Sequence, residues 1–196
     1  MTIERFDRAR LPAIPWKNGG GLTREIVCRP RGADLNTFDW RVSIADLTAN
    51  GAFSTFSGVD RVIMLLDGAV YNMQTGDGRV DHRLAQPLEP FTFCGHDEIT
   101  ASLIHGASSD FNVMARRGIV RAEVRVVRSS ETLRSCDAGV LFAARGRWRV
   151  SARPADATVE LDAGGGVWWD GDALACGLSA GAAGAAVVAV LVDRDR

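Results

Sequence analysis

The chain has 196 residues, a formal net charge of −1 and 46% hydrophobic residues, which fits one large domain or two small ones with an ordinary core. This charge balance gives no electrostatic reason to expect a nucleic-acid partner. The four cysteines show no CxxC spacing, so neither a zinc knuckle nor a redox pair is indicated, and free buried thiols in a cytoplasmic protein are expected. The N-terminus lacks the apolar core of a signal peptide, and no apolar run is long enough to span a bilayer, so no membrane association is expected.

The first distinctive stretch, Pro15–Ile26, holds the only lysine of the chain, Lys17, directly before Asn18 and three consecutive glycines. All other basic residues are arginine, which differs from lysine in shape, in hydration and in ease of deprotonation. We therefore expect Lys17 and its neighbours to line a site. A surface turn with a stray lysine is the alternative.

The rest of the chain is typical of an all-β protein, because short apolar runs alternate with Gly, Asp, Asn and Pro turns. Only Ser130–Ser135 suggests a short helix. Asp67-Gly68 predicts a hairpin. The predicted strands are Leu22–Cys28, Phe38–Ala45, Asp60–Asp67, Ala69–Gln74, Val80–Leu84, Phe91–Cys94, Glu98–Ile104 and Asp110–Arg116.

The second half repeats the rhythm of the first at an offset of about 76 residues. Phe91–Gly95 resembles Val167–Gly171, for example, and Asp110–Arg117 resembles Ala185–Arg194. Such a repeat predicts two related barrels, and glycine-centred hairpins between short strands suit a jelly-roll barrel of the cupin type. We expect an N-terminal barrel over residues 1–118 and a C-terminal one over residues 119–196, with strands free to pair across the boundary.

No metal site is expected, because the chain has only three histidines and the first hairpin, where a metal cupin usually carries a His-x-His pair, has none. His96 and His105 lie next to glycines in predicted turns. No serine lies in a nucleophile elbow and no cysteine has an obvious histidine partner. Asp60 and Asp110 could act as acid or base only if they are buried, and an ion pair between Asp60 and Arg61 is an equally good interpretation.

The polar strand faces suggest a binding cavity. Alternation places Asp110, Asn112 and Arg116 on one face of their strand, and it places Arg41 and Ser43 opposite the apolar side chains of theirs. If these faces point into a barrel, they form a cavity of cations and amides that suits a small carboxylate, since guanidinium groups bind carboxylates in a bidentate manner. The alternative is that these faces point to water.

Four blocks of sequence, over about residues 12–118, resemble the HutD/Ves family. They are Pro15-Trp16-Lys17-Asn18-Gly19-Gly20-Gly21-x-Thr23-Arg24-Glu25-Ile26, Phe38-x-Trp40-Arg41-x-Ser43-Ile44-Ala45, Gly51-x-Phe53-Ser54-x-Phe56-x-Gly58-x-Asp60-Arg61 and Asp110-Phe111-Asn112-x-Met114-x-Arg116-Arg117. The C-terminal third is similar to the family only in its strand rhythm.

The resemblance implies an all-β bicupin, that is, two packed cupin-type jelly-roll barrels, in a cytoplasmic bacterial protein linked to histidine utilisation. It implies binding of a carboxylate intermediate such as urocanate or formyl- or formiminoglutamate, with no established enzymatic activity, no catalytic residues and no cofactor. A metal-independent isomerase or hydrolase on a small organic acid is the alternative, and a homodimer through exposed sheet edges is a further expectation. By position, the ligand-binding residues are Lys17, Asn18, Thr23, Arg24, Arg41, Ser43, Arg61, Asp110 and Asn112.

Overall fold

A computed structural model describes residues 3–154 and 156–195. Apart from a 3-10 turn at Arg8–Arg10, the regular elements are strands. They are β1 (Glu4–Asp7), β2 (Ala13–Pro15), β3 (Gly21–Arg29), β4 (Trp40–Leu47), β5 (Gly51–Ala52), β6 (Val59–Gln74), β7 (Asp81–Leu84), β8 (Phe91–Cys94), β9 (Thr100–Arg116), β10 (Val120–Val127), β11 (Glu131–Thr132), β12 (Cys136–Arg145), β13 (Trp148–Arg153), β14 (Ala157–Leu161), β15 (Gly165–Ala180) and β16 (Ala186–Arg194).

The chain forms two compact units. The first is Pro12–Ile119, and the second takes in the described residues up to Leu11 and from Val120 onward. Residues before Leu11 belong to the second unit because β1 pairs with β15. Each unit has its own sheet, ordered β2-β3-β4-β9-β6-β7 in the first and β10-β16-β12-β15-β13-β14 in the second.

The repeat seen in the sequence is present in the strand pairing. In the first unit β9 lies between β4 and β6, and β8 pairs with the other edge of β6. In the second unit β16 lies between β10 and β12, and β15 pairs with the other edge of β12. The order β4-β9-β6-β8 therefore recurs as β10-β16-β12-β15.

Two local predictions were wrong. No hairpin forms at Asp67-Gly68, because β6 continues through these residues and stays paired with β9, with register shifts on either side of them. Gly68 has a φ of +90° and lets the strand bend there. The suggested helix at Ser130–Ser135 is absent, since Glu131–Thr132 pairs with β15 as a short strand.

The interiors of the two units differ. The second unit has an apolar core that includes Trp148, Trp169 and Leu141, each at most 2% exposed. The buried apolar residues of the first unit fall into separate clusters, one that includes Ile63 and Leu65 and another that includes Phe38 and Val59. Within the described residues no helix has the length and apolar character needed to cross a membrane.

Candidate functional site

A cavity of about 640 Å³ opens in the first unit. Its floor is defined by the buried lining residues of β6 and β9, its wall by those of β4, and its mouth by the largely exposed segment from Ile14 to Asn18. The lining residues are Ile14, Pro15, Trp16, Lys17, Asn18, Thr23, Glu25, Leu35, Arg41, Ser43, Ala45, Leu47, Ala52, Phe53, Ser54, Phe56, Arg61, Asp110, Asn112 and Met114.

Arg61 lies at the floor of the cavity and is 5% exposed. Its guanidinium carbon stands over the ring of Phe93 at 4.8 Å, and Phe53 and Phe56 lie at 5.5 and 5.7 Å. Nη2 donates to Oδ1 of Asn112 at 2.9 Å, whereas Nε is buried and has no hydrogen-bond partner among the described residues. Burial lowers the pKa of Arg61 to about 10, so the group stays protonated at neutral pH.

Asp110 is fully buried beside Arg61. Its Oδ2 accepts a hydrogen bond from the hydroxyl of Tyr71 at 3.0 Å, and its Oδ1 accepts one from Nδ2 of Asn112. Burial raises the pKa of Asp110 to about 7, although the bond from Tyr71 and the charge of Arg61 act against the rise. Burial and the neighbouring Asp110 also raise the pKa of Tyr71, so its hydroxyl remains a donor. A continuous chain of hydrogen bonds thus runs from Arg61 to Tyr71.

The wall of the cavity carries a second, neutralised cation. Arg41 donates from Nε to Oε2 of Glu25 at 2.7 Å and from Nη1 to the hydroxyl of Ser43 at 3.3 Å. Alternation along β4 directs Arg41 and Ser43 into the cavity while Trp40 and Val42 are buried on the other face, as the sequence predicted.

The mouth is formed by the turn that contains Lys17. Its ends are fixed by the bond from the Trp16 amide to the Gly21 carbonyl at 2.9 Å, and the indole of Trp16 donates to the hydroxyl of Thr23 at 2.7 Å. Asn18 accepts a bond from the amide of Gly20 at 3.1 Å. Lys17 is exposed and makes no ion pair with the described residues, so its charge is available at the entrance.

Eight of the nine predicted binding residues line the cavity, and Arg24 does not. Strand β3 directs Thr23 and Glu25 into the cavity, and neighbouring residues on a strand point to opposite faces. Arg24 therefore lies on the other face, where it pairs with Asp46. The prediction for Arg24, which came from the family resemblance, is corrected by this strand alternation.

Several residues of the site were missed. Glu25 is indicated by its spacing from Thr23, and the sequence marks Phe53 and Phe56 only as apolar residues of a turn-rich loop. Tyr71 reaches Asp110 across 39 residues of sequence and has no local signal.

Other candidates lie elsewhere. Asp60 is exposed and pairs with Arg117 at 3.1 Å rather than with Arg61, and the three histidines do not line the cavity. Among residues 3–154 and 156–195, no group of three or more His, Cys, Asp or Glu side chains could hold a metal ion.

The charges of the cavity favour an anion. Three cations and two acids line it, but Glu25 is occupied by Arg41, and burial favours the neutral form of Asp110. This leaves a buried guanidinium at the floor with an unused N–H and a free ammonium at the mouth. Such an arrangement can hold a carboxylate at depth, where exclusion of water strengthens the interaction.

Comparisons with known proteins agree on one family. A family model described as HutD matches residues 8–188. Protein Ves from Cronobacter sakazakii is 39% identical over 168 residues, which are 85% of this chain and 87% of that protein. HutD from Pseudomonas fluorescens SBW25, solved in a formate condition, is 26% identical with a TM-score of 0.82 and covers 98% of this chain and 99% of its own.

Further solved structures support the same fold. A conserved protein of unknown function from Pseudomonas aeruginosa PAO1 has a TM-score of 0.87 at 30% identity, covering 98% of this chain and all of that one. A variant of oxalate decarboxylase from Bacillus subtilis has a TM-score of 0.63 at 9% identity and covers 97% of this chain and 77% of that one. This second likeness shows the cupin fold and nothing about activity.

Proposed function

The chain belongs to the HutD family, and from that premise we propose that it is a metal-independent binding protein for a small carboxylate that modulates histidine utilisation in the cytoplasm. The ligand is an intermediate of histidine degradation, either urocanate or a formyl- or formiminoglutamate. The family resemblance supports the link to histidine degradation, and the charges of the cavity support a carboxylate as the ligand.

Arg61 is the observation that supports a carboxylate most strongly. No carboxylate of the described residues lies within ion-pair distance of Arg61. Its Nε has no hydrogen-bond acceptor among these residues. A buried cation without an ionic partner is costly, because it has lost its water and gained no opposite charge in return. A ligand carboxylate at the floor of the cavity would supply both the missing charge and the missing acceptor. The formate condition of the Pseudomonas fluorescens structure makes formate a useful minimal probe.

Calorimetric titration with urocanate and N-formyl-L-glutamate tests the proposal. At a ligand concentration 100 times the Kd, the bound ligand should raise the free energy of unfolding by about 2.7 kcal/mol. Arg61→Met should weaken binding by about 100-fold, because a charge-assisted hydrogen bond to a buried group is lost. The apolar Met fills a similar volume among the phenylalanines, so the variant should remain folded.

Arg24→Met is the matched control, since Arg24 lies outside the cavity and its loss should leave the affinity unchanged. Equal affinity of wild type and Arg61→Met would overturn the assignment of the floor. Absence of binding by urocanate, N-formyl-L-glutamate and formate would overturn the proposal itself.

One observation favours a second function, a metal-independent isomerase or hydrolase acting on the same class of acid. Asp110 faces the cavity with a pKa raised to about 7 by burial, which suits a general acid or base at neutral pH. Incubation of the acids with the protein and analysis of products separates the two functions. If the protein converts one of the acids and Asp110→Asn abolishes this conversion, the enzymatic function is established. If the acids are recovered unchanged, enzymatic activity on them is excluded.

A further inference from the structure

Asp110 stands out because it is an acid in a cavity suited to anions. It is fully buried and lines the same cavity as Arg61, although no cation of the described residues lies within ion-pair distance of it. Its two oxygens accept hydrogen bonds from neutral groups, the Tyr71 hydroxyl and the Asn112 amide. Asn112 links Asp110 to Arg61, because its own Oδ1 accepts a hydrogen bond from Arg61.

The groups that act on the charge of Asp110 come from each strand packed against it. Strand β6 supplies Arg61 and Tyr71, strand β4 supplies Asp46, and strand β9 supplies Asn112. Arg61 is the one cation among these groups, and Asp46 has the same charge as Asp110. The hydrogen bond from Tyr71, the charge of Arg61 and the bond from Asn112 favour the ionised form of Asp110, whereas burial and Asp46 act against it.

A bound carboxylate changes this balance. When it pairs with Arg61, it neutralises the cation and places a second negative charge near Asp110. Two carboxylates that share a site cannot both stay ionised at low cost, and one of them takes up a proton.

We infer that the site binds its carboxylate together with one proton, which comes from the solvent and is held on Asp110. Asp110 is then the residue that sets the pH range of binding, and its O–H becomes a donor within the cavity. The inference rests on the proposed function, because it requires an anion at Arg61. Burial already raises the pKa of Asp110 to about 7, which supports the inference because only a modest further rise is needed for uptake at neutral pH.

Calorimetric titration of the full chain with N-formyl-L-glutamate tests the inference. It is carried out at pH 8 in buffers that differ in ionisation enthalpy. The carboxylates of this ligand are ionised above about pH 5, so any proton that is taken up binds to the protein. The observed enthalpy should vary with the buffer by an amount that corresponds to uptake of about one proton. The Kd should be nearly constant below about pH 6 and should rise by up to about tenfold per pH unit above pH 7.

Asp110→Asn should remove both effects, since an amide is neutral at every pH and the Tyr71 hydroxyl can reverse its bond and accept from it. Asp60→Asn is the control, because Asp60 is exposed outside the cavity, and it should behave as wild type. A wild-type enthalpy that is the same in all buffers, with a flat pH profile of the Kd, would overturn the inference even if Asp110→Asn failed to fold. Absence of binding at every pH would instead overturn the proposed function.

Discussion

The two units share a strand order but differ in what fills them. In the first unit, Arg61 on β6 pairs with Phe93 on β8. The corresponding pair in the second unit is Gly139 on β12 with Trp169 on β15. The Trp169 ring lies directly over Gly139, whose absent side chain leaves the space that the ring occupies. A cation at the floor of one unit thus corresponds to a packed indole in the other.

The acid and the amide of the site show the same contrast. The pairing of β9 with β6 and of β16 with β12 matches Asp110 with Val187 and Asn112 with Ala189. Both residues of the second unit are fully buried in its apolar core. A cupin-type sheet of this order is therefore stable without polar groups at these positions. This favours a binding role for the polar groups of the first unit over a structural one.

The first and largest prediction concerns the titration of Asp110, which has no counterpart in the second unit. Its pKa is about 7 in the folded chain and about 3.9 in an unfolded one, so the folded state binds the proton more tightly. The stabilisation is complete below about pH 4 and is lost as the pH rises through 7. Relative to Asp110→Asn, the wild-type free energy of unfolding should fall by about 4 kcal/mol between pH 4 and pH 8.

Urea unfolding of both proteins across this range measures the difference. If the difference in the free energy of unfolding between wild type and Asp110→Asn does not change with pH, Asp110 is ionised as readily as an exposed acid.

The second prediction concerns the packed counterpart of Arg61. A Cβ at Gly139 would lie 2.6 Å from the Trp169 ring and 2.6 Å from the Val190 carbonyl oxygen, which is closer than real contacts allow. Gly139→Ala should lower the free energy of unfolding by about 2–3 kcal/mol, because the indole and a neighbouring strand must both move. Gly76→Ala, where a Cβ meets no atom within 4 Å, should change it by less than about 1 kcal/mol. Equal stability of the two variants would mean that the second unit is loosely packed.

The third and smallest prediction concerns Lys17, which the second unit also lacks, since the chain has a single lysine. Lys17→Met should weaken binding of N-formyl-L-glutamate about fivefold, because the ammonium would pair with the second carboxylate of this ligand only as an exposed, screened ion pair. Urocanate has one carboxylate and should lose less. Calorimetry on both ligands, with Arg24→Met as control, gives the comparison. A larger loss for urocanate would place its carboxylate at the mouth instead of at Arg61.

Strand alternation and the family motifs together identified eight of the residues that line the cavity. The polar faces of the predicted strands at Phe38–Ala45 and Asp110–Arg116 were assigned from period-two spacing. Arg41, Ser43, Asp110 and Asn112 line the cavity, whereas Arg116 does not and donates to the carbonyl of Phe38 instead. The repeat could be predicted because turns and apolar runs recur in the same order, and the strand pairing confirms it.

The remaining features depend on contacts between distant residues. The bond from Tyr71 to Asp110 and the ring of Phe93 under Arg61 join separate strands, which single-strand spacing cannot show. The bend at Gly68 has the sequence of a hairpin, but continued pairing with β9 makes it part of one strand. Arg24 was misplaced because a motif match ignored the face on which a residue lies.

Trp16 has a consequence for how this protein can be studied. It is half-buried at the mouth of the cavity, whereas the other four tryptophans, at positions 40, 148, 168 and 169, are at most 9% exposed. An indole that exchanges water for ligand changes its emission, and the four buried rings provide a constant background. The chain thus carries its own optical reporter, and occupancy of the cavity can be followed by intrinsic fluorescence without a label.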